Sequence, residues 1–127
     1  MMSENSTEHE GTHEWYDEDG HFHRIAEGEY LTEYLDGTRK WRHEDGHLHR
    51  DGDKPAVMYR DGTCEWWQHG HRHRDGDRPA VIWAADGMCE WWRDGCRHRD
   101  GDRPAVIWPY GTCEWWVAGK KIREAAK

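Results

Sequence analysis

Apolar residues in this chain come in short clusters, such as AVMY, CEWW and AVIW, set between polar, glycine-rich stretches. No apolar stripe of helical period joins them, and short apolar runs bounded by turn residues are the signature of strands. In CEWWRDGCRHRDGDRPAVIW, starting at Cys89, an extended piece (Cys89 to Trp92) meets Asp94-Gly95. A second piece (Cys96 to Arg99) meets Asp100-Gly101, and a third (Ala105 to Trp108) runs to the next turn. Asp-Gly supplies the positive φ of type I′ hairpin turns, so each stretch reads as a short antiparallel meander. Pro55, Pro79 and Pro104 each stand at the start of a predicted strand, where no ladder N–H is missed.

The pattern repeats. HRDGDRPAVIW occurs at His73 to Trp83 and again at His98 to Trp108, with HRDGDKPAVMY at His49 to Tyr59. Trp41, Trp66, Trp91 and Trp115 are spaced 25, 25 and 24 residues apart, and Trp15 lies 26 before Trp41. About four and a half units result, and both end units depart from the consensus, as the exposed ends of an array do. One such unit buries too little apolar surface to order itself, so neighbouring units must share their aromatic faces. The expected fold is all-β: an elongated, single-layer antiparallel β-meander of about 25-residue repeats. A β-solenoid with one coil per unit is the alternative, and it would stack equivalent Trp residues about 4.8 Å apart.

Composition narrows the class. The chain has 127 residues, room for one ordinary domain, and 35% of them are hydrophobic. It holds ten Trp, one Phe and nine Asp-Gly dipeptides, a balance that fits strands and tight turns. Net charge is −8, but residues 1 to 20 carry seven acids and no Lys or Arg, which leaves 26 − 7 = 19 acids against 18 bases. The repeat body is therefore nearly neutral, which argues against a nucleic-acid partner. Residues 1–12 read as a disordered acidic tail and 13–127 as a single repeat domain. No apolar run is long enough for a membrane helix and none resembles a signal peptide, so a cytoplasmic protein is expected.

Candidate chemistry is sparse. His-Arg-Asp occurs three times, but the asparagine that a kinase catalytic loop carries five residues past its aspartate is missing. Asp51, Asp75 and Asp100 are expected to bond to their own turns, with Arg50, Arg74 and Arg99 in exposed ion pairs worth about 0–1 kcal/mol. His47/His49, His71/His73 and Cys96/His98 place two possible metal ligands on one face of a strand. Equivalent pairs lie about 10 Å or more apart, too far to complete a shell, so no metal or other cofactor is expected; His49, His73 and His98 can instead bond to turn backbone. The same spacing rules out disulfides among Cys64, Cys89 and Cys113, expected as half-buried thiols, while Cys96 is expected to be exposed. No nucleophile, base and orienting residue occur together outside the repeats, which argues against an enzyme.

The pattern WWxDGxxHRDGDRPAVIWxxDGxCEWW resembles the MORN repeat, of the type YxGxWxxGxxHGxGxYxxxDG. It is closer to the variant repeats of YwqK-type antitoxin components and of bacterial, phage and giant-virus proteins. The likeness covers residues 14 to about 123. Gly95, His98, Trp108 and Asp86-Gly87 match the motif, and Arg99-Asp100-Gly101-Asp102 replaces its tight HGxG. The resemblance implies an elongated twisted sheet used for protein contacts or assembly, without catalysis. Paired Trp residues on a strand point to opposite faces, so one aromatic row is left uncovered, the mark of a partner site. The expected function is a noncatalytic protein-interaction module, of antitoxin, immunity or phage-encoded inhibitory type. Trp67, Trp83, Trp92, Trp108 and Trp116 are its expected contacts, with Arg74 and Arg99 at the rim. A self-assembling structural protein, and a binder of small ligands or metal through Trp rows or His-x-His pairs, are the alternatives.

Overall fold

In a computed structural model, which describes residues 7–9 and 11–126, the chain is all strand and turn. Strands β1 (Thr7–His9), β2 (Thr12–Tyr16), β3 (Phe22–Ala26), β4 (Glu29–Glu33) and β5 (Arg39–His43) form a continuous antiparallel meander. The later repeats then add two short strands each to the same sheet. These are β6 (Val57–Met58) and β7 (Cys64–Glu65), β10 (Val81–Ile82) and β11 (Cys89–Glu90), then β14 (Val106–Ile107) and β15 (Cys113–Val117). Strand β16 (Lys120–Ala125) closes a sheet of 12 strands in sequential order. Two excursions leave it as separate ribbons: β8 (Trp67–Gln68) with β9 (His71–Arg72), and β12 (Trp92–Arg93) with β13 (Cys96–Arg97).

Val81 pairs with both Glu65 and Glu90, so the equivalent strands β7 and β11 are separated by β10. One repeat therefore advances two strands, about 9.6 Å, and the solenoid alternative is excluded. The prolines lie just outside the ladder, as expected: Ala56, Ala80 and Ala105 follow them and donate N–H to the carbonyls of Glu65, Glu90 and Glu114 at 2.8 Å.

The turn chemistry differs from the expectation. Positive φ at two successive residues occurs in the two-residue hairpin turns Glu27-Gly28, His69-Gly70, Asp94-Gly95 and Ala118-Gly119, as type I′ geometry requires, and in the HRDGD loops at Gly52-Asp53, Gly76-Asp77 and Gly101-Asp102. Only one of the hairpin turns is Asp-Gly. At Asp36, Asp45, Asp61 and Asp86 the following glycine alone is left-handed, and the carboxylate accepts the N–H two residues on at 2.8–3.0 Å. These are turns that aspartate closes with its own side chain.

Of the expected disordered tail, residues 1–6 and 10 lie outside the described residues. Thr7–His9 departs from the expectation, because Gly11 at φ 72° turns it back to pair with Thr12–Glu14. At the other edge every residue of β16 is exposed, and its Lys120, Lys121 and Arg123 oppose pairing with another edge.

Candidate functional site

Sheet register puts Val57, Glu65, Val81, Glu90, Val106 and Glu114 on one face. The three valines are 1% exposed and Glu65 and Glu90 only 3% and 4%. Buried carboxylates need donors, and aromatic residues supply them. Glu90 accepts the indole N–H of Trp83 at 2.7 Å and of Trp92 at 3.1 Å. Glu114 likewise accepts from Trp108 and Trp116 at 2.9 Å, and Glu65 from the Tyr59 hydroxyl at 3.1 Å and Trp67 at 2.8 Å. Burial pushes Glu114 up, but the bonds from Trp108 and Trp116, with Lys121 and Arg97 nearby, outweigh it and hold the group below its ordinary value.

Five tryptophans expected as contacts, Trp67, Trp83, Trp92, Trp108 and Trp116, are thereby gathered around one row of glutamates. Their polar atoms turn inward and leave ring surface outside: Trp83 is 39% exposed. Arginines tie the layers together. Arg97 bonds Glu90 at 3.1–3.2 Å and lies 5.4 Å from the Trp92 ring and 5.0 Å from Trp116 of the next repeat. Arg72 repeats this arrangement on Glu65, 3.6 Å away, between Trp67 and Trp92. The glutamates escaped the sequence reading; their signal is a single carboxylate embedded in each apolar CEWW cluster.

Arg74 and Arg99 do not join this face. Arg99 grips Asp77 of the preceding repeat with two donors, Nε at 2.9 Å, donates Nη1 to the Pro104 carbonyl at 3.0 Å and lies 3.9 Å over Trp91. Arg74 does the same with Asp53, Pro79 and Trp66. Each is 14% exposed, so these are built-in ties between repeats rather than loose surface pairs or rim contacts. Hydrogen bonds from Arg74 and Arg99 hold Asp53 and Asp77 below their ordinary 3.8. A carboxylate depressed in the folded state adds stability above its unfolded value and loses it as pH falls through the folded one. The urea midpoint should therefore start to drop below about pH 3.8. Asp77→Asn should remove part of that acid dependence, and an unchanged profile would show that the tie contributes nothing.

His49, His73 and His98 bond to turn backbone, as expected, and each turn belongs to the next repeat. In His49, His73 and His98, Nε2 lies 2.7–2.8 Å from Asp51, Asp75 and Asp100. Nδ1 accepts the N–H of His69, Asp94 and Ala118, the first residue of the next repeat's turn, at 3.0–3.2 Å. Both ring nitrogens are thus occupied, with the proton on Nε2. Those aspartates serve the histidines instead of their own turns. His47, His71 and Cys96 pack against Gly70, Gly95 and Gly119 of the same turns. No cluster of three or more metal-ligating groups occurs among the described residues. Cys64, Cys89 and Cys113 are half-buried free thiols and Cys96 is exposed, as expected, and burial pushes the Cys64 and Cys89 thiols up.

A cleft of about 250 Å³ lies between successive HRDGD loops, lined by Trp91, His73, Arg74, His98 and Arg99. Its guanidinium and imidazole groups already have partners. Among the described residues no helix is long and apolar enough to cross a membrane. The chain matches no family model, and no curated protein matches it. The likeness to MORN repeats therefore rests on the motif alone.

Proposed function

We propose that this protein is a noncatalytic interaction module of MORN-like repeats that binds a partner protein across its aromatic face. The observation that supports it is the inward turn of every indole N–H on that face. Trp67, Trp83, Trp92, Trp108 and Trp116 spend their polar atoms on Glu65, Glu90 and Glu114, which holds the rings in place and leaves apolar surface outward. Rigid, pre-oriented tryptophans with arginine between them are the usual composition of an interface hot spot. A blocking role, as antitoxin, immunity or phage-encoded inhibitory protein in the cytoplasm, suits a module that offers a broad rigid face.

The test is affinity capture, followed by titration of the recovered partner against wild type and Trp83→Tyr. Tyr59 already fills the equivalent position and donates to its glutamate, so this variant keeps the fold while shrinking the outward ring. Affinity should fall about tenfold, in the range of hot-spot truncations. Undiminished binding would remove this face from the interface.

A further inference from the structure

The three aromatic–glutamate layers are not equally complete. In the first two, a guanidinium completes the set: Arg72 on Glu65 between Trp67 and Trp92, and Arg97 on Glu90 between Trp92 and Trp116. In the third, the position of Arg72 and Arg97 is held by Lys121, paired across the strands with Trp116. Lys121 pairs with Glu124, its ammonium 2.8 Å away, and reaches Glu114 only beyond ion-pair distance. Glu114 keeps its two indole bonds, and no cation lies within ion-pair distance of it among the described residues. Glu124 stands directly across from Glu114 in the register, where the inner glutamates have a valine on each side. Of its own residues the last layer thus has two carboxylates for one ammonium, where each inner layer has one carboxylate for one guanidinium; Arg97, the cation nearest Glu114 from the layer before, is paired with Glu90. Tyr110, 73% exposed, stacks beside Trp108 with ring centres 6.3 Å apart.

We propose that the last layer, Glu114 with Trp108 and Trp116, is an open receptor for an arginine side chain presented by a partner protein. The chemistry is read from the protein's own inner layers, where the same residue set holds a planar guanidinium against a carboxylate and a flanking indole. Arginine suits such a site better than lysine, because its planar fork bonds a carboxylate while its face lies on a ring. The local excess of negative charge over the inner layers supplies the complementarity.

This inference deepens the reading above, since it assigns partner chemistry to one end of the same face. The experiment is an NMR titration of the indole N–H signals with a blocked tri-arginine peptide, using tri-citrulline as its neutral counterpart. The Trp108 and Trp116 signals should shift saturably with arginine and not with citrulline. Glu114→Gln should weaken binding by about tenfold or more. Lys121→Arg provides the missing guanidinium within the chain, so it should abolish peptide binding while raising the thermal midpoint. Because that variant restores the inner pattern, it stays informative even if Glu114→Gln folds poorly. Equal binding of citrulline, shifts centred on Trp83 and Trp67 instead, or full binding by Lys121→Arg would each overturn the proposal. Trp83→Tyr lies a layer away: a partner indifferent to it, with arginine binding intact, would overturn the wider face and leave this receptor standing.

Discussion

Replacing Glu90 with leucine should destabilise the protein by about 3 kcal/mol, even though a charged residue gives way to an apolar one of similar bulk in a buried site. Glu90 is 4% exposed and accepts from Trp83, Trp92 and Arg97 together. Leucine offers no acceptor, so two indole N–H groups and a guanidinium lose their partner at once, and orphaned donors cost more than the bonds themselves contributed. The value sits at the lower end of the range for a broken buried pair because Arg97 is part-exposed and can turn to water. Glu90→Gln keeps an acceptor and loses only the charge, so it should cost about 1–2 kcal/mol. Adding Trp83→Phe and Arg97→Leu to Glu90→Leu removes two stranded donors and should recover part of the loss. Urea denaturation of the four proteins decides the matter; Glu90→Leu as stable as wild type would mean that the carboxylate does not anchor the layer.

Gly95→Ala and Gly87→Ala should differ although both glycines are left-handed, at φ 84° and 79°. That conformation alone costs an alanine about 1 kcal/mol. A methyl at Gly87 meets nothing within 4 Å, while at Gly95 it would stand 3.1 Å from Nδ1 of His71 in the preceding repeat. Gly95 also donates its N–H to the Arg72 carbonyl at 3.0 Å, so displacing the turn uncouples two ribbons. Gly87→Ala should therefore lose about 1 kcal/mol and Gly95→Ala about 2–3. His71→Ala in the Gly95→Ala background should erase most of the difference. Equal losses at the two glycines would show that the repeats do not bear on each other through this contact.

Much of the architecture was legible because it depends on local chemistry. Alternating apolar clusters, glycine turns and the 25-residue spacing specify short antiparallel strands, and prolines before Ala56, Ala80 and Ala105 mark where pairing starts. The turn types were less legible. Asp-Gly adopts three backbone solutions here: both residues left-handed, glycine alone, or glycine with the aspartate after it. The five tryptophans were identifiable as a set from their repeat positions, whereas the roles of Arg74 and Arg99 were not. Both are tied to the aspartate of the preceding repeat, 21–22 residues back, a contact that exists only once two repeats are stacked.

By itself, then, the sequence determined strand, turn and repeat period, because these follow from side-chain alternation and backbone preference within a few residues. The tertiary structure alone decided which polar groups meet. Glutamates inside apolar clusters became anchors for indoles, and His49, His73 and His98 became the rungs that accept the N–H of the next repeat's turn. The histidine and arginine contacts join neighbouring repeats through the two-strand advance, a property of the stacked sheet, whereas each glutamate meets its indoles within one hairpin, where strand pairing sets which side chains share a face.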